Sequence, residues 1–163
     1  MKLNNISYSY ILVLSLAVFI GSINTQSSEN DENAVTQAVS QFYVALNEMF
    51  KGNVEPIKEV WSHAGDVTYM GPTGGIKIGW QQVLADWETQ AAMKLGGTVK
   101  PENMTITVGN NLAFTINYEK GSNVDSEGKP IEVSIRATNI FRKEDGKWKM
   151  IGHHTDLLPF LQK

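Results

Sequence analysis

Apolar residues recur three and four positions apart at Val35, Ala38, Val39, Phe42, Leu46, Met49 and Phe50, the spacing that gives a helix one apolar face. This predicts a first helix from about Glu32 to Lys51, with Asp31 placed to cap its start and Gly52-Asn53 to end it. A short second helix follows, with Pro56 near its first turn and Val60-Trp61 facing inward. Asp66-Val-Thr-Tyr-Met-Gly71 reads as a strand, closed by the turn Pro72-Thr-Gly-Gly75. Trp80, Val83, Leu84, Trp87 and Ala91 share one side of a third helix over Trp80 to Met93, which Leu95-Gly-Gly97 stops.

Beyond residue 97 the period becomes two. Thr98 to Val108, Leu112 to Lys120, Pro130 to Lys143 and Lys147 to Thr155 are expected strands. Gly109-Asn-Asn111 makes a tight connection, Gly121 to Lys129 a looser one, and Glu144-Asp-Gly146 a hairpin turn. Three helices followed by long antiparallel strands define an α+β layout, in which the sheet buries one face against the helices and curls around what lies between.

The register of the last hairpin decides which residues share a face. A three-residue loop at 144–146, with Gly146 left-handed, sets Arg136 opposite His154 and Ile140 opposite Met150. A two-residue Asp145-Gly146 turn shifts the pairing by one, so that Ala137 meets His154 and Asn139 meets Gly152. Phe141 against Met150 favours the short turn; Arg142 against Lys149 disfavours it.

The N-terminus changes the picture. Lys2 precedes an apolar stretch from Tyr10 to Ile20, broken only by Ser15, and Gly-Ser-Ile-Asn-Thr-Gln-Ser-Ser follows. A basic start, a short apolar run and a small-residue exit describe a secretory signal peptide. The run is shorter than the about 20 residues of a membrane span. Residues 1–26 are therefore expected to be signal peptide and leader, cut near Ser22 to Gln26, with 27–163 forming one secreted or periplasmic domain. The alternative is an uncleaved N-terminal anchor. Ser27 to Asn33 reads as a solvated leader into the first helix.

The chain has 163 residues, a net charge of −3 and no cysteine. Lack of cysteine excludes a disulfide scaffold, a thiol nucleophile and a thiolate metal site. A mildly acidic body gives no electrostatic reason to bind nucleic acid. Gly74-Gly75 and Gly96-Gly97 lack the frame of a phosphate loop.

Candidate chemistry gathers at the C-terminal end, in Trp148-Lys-Met-Ile-Gly-His-His-Thr-Asp156. His154 and Asp156 lie two apart on an extended segment and share a side. A carboxylate there can set the tautomer of the imidazole and raise its basicity, as acid–base chemistry requires. The competing reading makes His154 a polar residue that closes the sheet. His153 points the other way. Arg136 can bind a carboxylate or an enolate-like oxygen in bidentate fashion, or serve as a rim ion pair. Trp61, Tyr69, Trp80 and Trp87 supply large contact areas suited to a small-molecule site. Core packing suits Trp61 and Trp87 as well, whereas Tyr69 and Trp80 adjoin turns and suit a pocket mouth. No ligand spacing supports a metal; the sole grouping available is His63 with His154 and Asp156.

Arg136-Ala-Thr138, then Phe141-Arg-Lys-Glu-Asp-Gly-Lys-Trp148, then His154-Thr-Asp156 resembles the SnoaL-like and ketosteroid-isomerase-like proteins of the nuclear transport factor 2-like superfamily. The likeness covers nearly everything after residue 31. A similar Asp-Gly-Lys-Trp hairpin ends the association domain of the calcium/calmodulin-dependent kinase. The resemblance implies a cone-shaped roll, three helices against a curved mixed or antiparallel sheet, with a pocket at its open end. It also implies a homodimer through the sheet's outer face, and it favours the three-residue loop, because the family's arginine and histidine serve one pocket. Members often carry a second histidine where this sequence has Gly152. Ketosteroid isomerases use a carboxylate base at the end of the first strand; here that position falls at Met70-Gly71-Pro72, without an acid. Their second acid falls near Asn139, which can still donate a hydrogen bond.

The resulting expectation is an exported domain that binds an apolar or amphipathic small molecule, with Tyr69, Trp80, Trp61, Trp87 and Asn139 as binding residues and no cofactor. The alternative is an acid–base enzyme (isomerase, dehydratase or hydrolase-like) using His154 with Asp156 and Arg136. A third reading is an assembly module whose cone is filled by side chains.

Overall fold

The computed structural model describes residues 9–156 apart from 73 and 126, with side chains from residue 29 onward. Residues 1–8 of the expected signal peptide, the middle of the turn at 72–75 and the last seven residues lie outside the described residues, as do the side chains through 28. Helix α1 runs from Ser9 to Met49, α2 from Glu55 to Val60 and α3 from Trp80 to Met93. The strands are β1 (Thr68–Met70), β2 (Lys77–Ile78), β3 (Thr98–Val108), β4 (Leu112–Val124), β5 (Pro130–Glu144) and β6 (Lys147–Asp156).

Helix α1 does not start near Glu32, since the polar stretch read as a leader is helical too. Asp31 therefore caps nothing; its carboxylate pairs with Lys143 at 2.6 Å and ties α1 to β5. Strands β4 and β5 extend past their expected ends, and the two-residue β2 was not foreseen. Helix α3 and β3 begin and end where the apolar spacing places them.

One six-stranded sheet has the order β2-β1-β6-β5-β4-β3. Strand β1 lies parallel to β6 and the other neighbours are antiparallel, so the sheet is mixed. Pro101 sits in β3, at a sheet edge, where a missing N–H is tolerated. The inner face closes over α1 and α3 around Phe42, Met49, Trp61, Trp87, Phe141 and Met150, all nearly inaccessible to water. Gly97 lets β3 leave the α3 end closely under β4: its φ is +70°, and a Cβ there would lie 1.9 Å from the Ser122 carbonyl oxygen.

The last hairpin corrects the expected register. Its turn is the two-residue Asp145-Gly146, both left-handed at φ 49° and 78°, and not a three-residue loop. Phe141 pairs with Met150 and Arg142 with Lys149. A bulge then adds one residue to β6 between the Phe141–Met150 and Ile140–Gly152 pairs. Beyond it Asn139 pairs with His153, Thr138 with His154 and Arg136 with Asp156, a register that neither simple turn provides. The extra residue exchanges the two faces of β6: Trp148 and Met150 are buried before the bulge, His153 and Thr155 after it.

Candidate functional site

Sheet and helices line a half-open cavity of about 510 Å³. Tyr69 from β1, Trp87 from α3, Glu119 from β4, Glu132 from β5 and His153 and Thr155 from β6 contribute to its wall, along with apolar residues of α1, β3 and β5. Among the described lining residues there is no lysine or arginine.

Strand β4 carries the buried polar residues beneath this wall and brings Glu119 into it. Its outward residues are Leu112, Phe114, Ile116 and Tyr118, whereas Ala113, Thr115, Asn117 and Glu119 point inward and are buried. Ordinary amphipathic patterning is thus reversed along this strand. The neighbouring inward residue of β5 is Ala137, which pairs with Asn117 on one side and Thr155 on the other. Its small side chain leaves room for Glu119 to approach His153.

A continuous set of hydrogen bonds fixes these groups. Asn117 Nδ2 donates to the Tyr118 carbonyl at 3.0 Å and to the Tyr43 hydroxyl at 2.8 Å. The Tyr43 hydroxyl donates to Glu119 Oε1 at 3.1 Å. Because a backbone carbonyl only accepts, Asn117 must keep this orientation and present Oδ1 to Asn139 Nδ2, at 3.3 Å. Asn139 Nδ2 also donates to Thr115 Oγ1 at 3.1 Å. Its own Oδ1 therefore faces His153 Nδ1 at 2.6 Å, and Nδ1 carries the proton. What remains is the lone pair of His153 Nε2, 3.7 Å from Glu119 Oε1.

Burial pushes the Glu119 carboxyl up to about 7, against the smaller opposing effect of the Tyr43 hydrogen bond. Burial, helped by neighbouring His154, pushes His153 down to about 3. Near neutral pH the imidazole is uncharged and the carboxyl is poised to lose or gain a proton; they are not an ion pair. Burial also raises the phenols of Tyr43 and Tyr69. Gln90 Nε2 donates to the Tyr69 hydroxyl at 2.9 Å, and the Tyr69 ring stacks on His153 with centroids 5.8 Å apart. Two wall residues hold buried polar atoms without a partner: Trp87 Nε1 and Thr155 Oγ1.

The expected site residues divide between this interior and other places. Tyr69 and Trp87 are in the cavity wall, and Asn139 supports His153 from behind. Trp61 is fully buried in the core, where it packs on Trp87 with ring centroids 6.2 Å apart. Trp80 is not at the mouth; it stacks on His63 at 4.3 Å. His154 does not look inward either. It is exposed and, with Arg136 and Asp156, borders a shallow depression on the outer face of the sheet. Arg136 grips Asp156 there in bidentate fashion at 3.0 and 2.6 Å, holding that carboxyl below its ordinary value. The bulge in β6 is the physical reason: one added residue turned His153 in and His154 out.

Glu119, Tyr43, Asn117, Thr115 and His153 were missed as a group. Gly152 within a strand was a usable bulge signal, and the polar set Thr115-x-Asn117-x-Glu119 was a usable sign of a polar interior. Among the described residues no cluster of three or more His, Asp or Glu is arranged to hold a metal ion, and no helix is long and apolar enough to cross a membrane. A larger open groove of about 900 Å³ runs between α1, α2 and the last hairpin.

A curved mixed sheet closed over helices is the architecture of the nuclear transport factor 2-like proteins. A candidate dehydratase of that family from Streptomyces avermitilis superposes with a TM-score of 0.70 at 22% identity, covering 80% of this chain and 98% of that one. A superfamily protein from Salmonella enterica gives 0.69 at 16% identity, over 78% of this chain and 91% of the other. A candidate calcium/calmodulin-dependent kinase II association domain from Thiobacillus denitrificans gives 0.63 at 22% identity, over 74% and 92%. At these identities the likeness establishes the fold alone. Residues 35–157 match the family model of the SnoaL-like domain, and the chain belongs to that family. No curated protein matches it.

Proposed function

We propose that this is an exported SnoaL-like domain that binds a small apolar or amphipathic molecule inside its cone. The observation that carries the reading is the cavity itself: about 510 Å³ of largely apolar wall that includes Glu119 and His153, which Tyr43 and Asn139 hold from behind by buried hydrogen bonds. Pockets of this kind hold a ligand by apolar contact and orient it with a few polar groups. Native mass spectrometry of the protein purified from its own host tests this. A co-purifying molecule that is lost when Tyr69→Ala or Val99→Trp alters the wall is the expected result. A ligand-free spectrum, together with no shift in melting temperature across a library of small apolar compounds, counts against it.

A second reading keeps an acid–base enzyme but moves its chemistry. Glu119, titrating near neutrality 3.7 Å from an uncharged imidazole, has the properties of a proton carrier, whereas exposed His154 is already next to a carboxylate locked onto Arg136. Turnover that follows Glu119→Gln and ignores His154→Ala would favour it over simple binding.

The reading includes a homodimer. Leu112, Phe114, Ile116 and Tyr118 form an exposed stripe along the outer face of β4, continued by Ile140 on β5. Contiguous apolar surface of this sort favours association. Phe114→Asp with Ile116→Lys is expected to convert a dimer into a folded monomer, measured by sedimentation velocity with circular dichroism as the control. An unchanged sedimentation coefficient would remove this face as the interface.

A further inference from the structure

We infer that the cavity takes a ligand bearing a primary amine, with the ammonium group seated among Glu119, His153 and Thr155. This rests on the small-molecule reading above and deepens it. Three groups in one part of the wall have acceptor capacity to spare. The Tyr43 hydroxyl occupies one oxygen of Glu119 and leaves the other. Nε2 of His153 is held as an acceptor, because the orientation of Asn117 is anchored on the Tyr118 carbonyl and passes through Asn139 to put the proton on Nδ1. Thr155 Oγ1 is buried and has no partner, and a hydroxyl without a partner can accept. Glu119 Oε1, the oxygen that the Tyr43 hydroxyl occupies, lies 3.7 Å from His153 Nε2, which puts the carboxyl group beside that lone pair, and Thr155 follows His153 by two on the same face of β6.

An ammonium group has three N–H donors and no acceptor, which suits a wall that offers acceptors and few donors. Tyr69 and Trp87, whose rings lie 4.5 Å apart, contribute aromatic surface to the same wall, and aromatic rings attract cations. The charge of the wall agrees: Glu119 and Glu132 are present, and among the described lining residues no lysine or arginine opposes them. A carboxylate or phosphate ligand would meet like charge with no counterion. A neutral alcohol would leave two of the three acceptors without a donor, at the cost that unpaired buried polar groups carry.

The test uses the full chain and two matched trios of probes: 2-phenylethylamine, 2-phenylethanol and 3-phenylpropanoate, and octylamine, octanol and octanoate. Titration calorimetry at pH 8 should show an amine bound at least about tenfold more tightly than its alcohol, since charge-assisted hydrogen bonds are the stronger kind, and the carboxylates unbound. Glu119→Gln, checked for folding by circular dichroism, should erase that preference. Thr155→Val removes one acceptor and keeps the carboxyl, so it should weaken the amine several-fold and the alcohol less; it serves if the glutamine variant misfolds. Equal binding of amine and alcohol, or a preference that survives Glu119→Gln, overturns the amine and leaves the cavity reading standing. Binding of a carboxylate in preference to its amine overturns the inference as well, and so does failure of all six probes when the protein still co-purifies with a ligand.

Discussion

Between about pH 4.5 and 6.5 the stability of this protein should be nearly independent of pH, and Glu119→Gln should replace that plateau by a rise. Two buried groups oppose each other there. Glu119 has its folded value raised from 4.5 to about 7, so its contribution is complete below 4.5 and is lost as the pH rises towards 7. His153 has its folded value lowered from 6.5 to about 3, so its contribution is complete above 6.5 and is lost as the pH falls towards 3. Each slope is about 1.4 kcal/mol per pH unit, with opposite signs, and they cancel where the two windows overlap. Below 4.5 the histidine acts alone and stability falls with acid. Removing the glutamate's titration leaves the histidine unopposed, so the variant should gain of order 3 kcal/mol between pH 4.5 and 6.5. Urea unfolding at four or five pH values from 3.5 to 7.5 measures this directly. A steady climb in the wild type across that window, or the same profile in both proteins, would refute it.

Trp87→Ala should lower the free energy of unfolding by about 3–5 kcal/mol, the usual loss for a buried tryptophan. Trp87 is 1% exposed and is where the cavity wall meets the core. Its ring packs against Tyr69 at 4.5 Å, His153 at 6.1 Å, Trp61 at 6.2 Å and Phe42 at 6.4 Å. Deleting it joins the hollow to the core and frees the Tyr69 and His153 rings from one side. Trp87→Phe keeps most of the apolar contact and relieves the unpartnered indole N–H, so it should cost much less. Thermal and urea denaturation of both variants checks the difference; a loss under about 1 kcal/mol for the alanine would mean that the wall collapses freely into the gap.

Helical spacing made the helices legible, and α3 was readable to its ends because Trp80 and Leu95-Gly-Gly97 bracket a regular apolar face. Helix α1 was readable only where that face exists; its polar beginning has no periodic signal. The long strands were legible from their alternation and the α+β layout from their order after the helices, whereas the cone was implied by the resemblance alone. The site was not, for two reasons. A bulge is a local event whose evidence is one glycine, yet it decides which of two adjacent histidines lies inside. And alternation tells which residues share a face, never which face is the inner one. On β4 the apolar set Leu112, Phe114, Ile116 and Tyr118 looks like the core, but the helices cover the other side. Tyr43 escaped notice for a related reason, since it lies next to Phe42 and outside the stripe that defines the helix. Arg136 was expected opposite His154 and instead faces Asp156, on the outer side of the sheet.

The reversed polarity of β4 sets a rule for how this segment can change over evolutionary time. Exchanges at every second position remain open: one subset retunes the hollow, the other retunes the exterior, and neither disturbs its counterpart. Loss or gain of a single residue between Ala113 and Glu119 is different, because it would turn the strand inside out, thrusting an acid into solvent and phenyl rings among the amides. Length, more than composition, is what this strand must conserve.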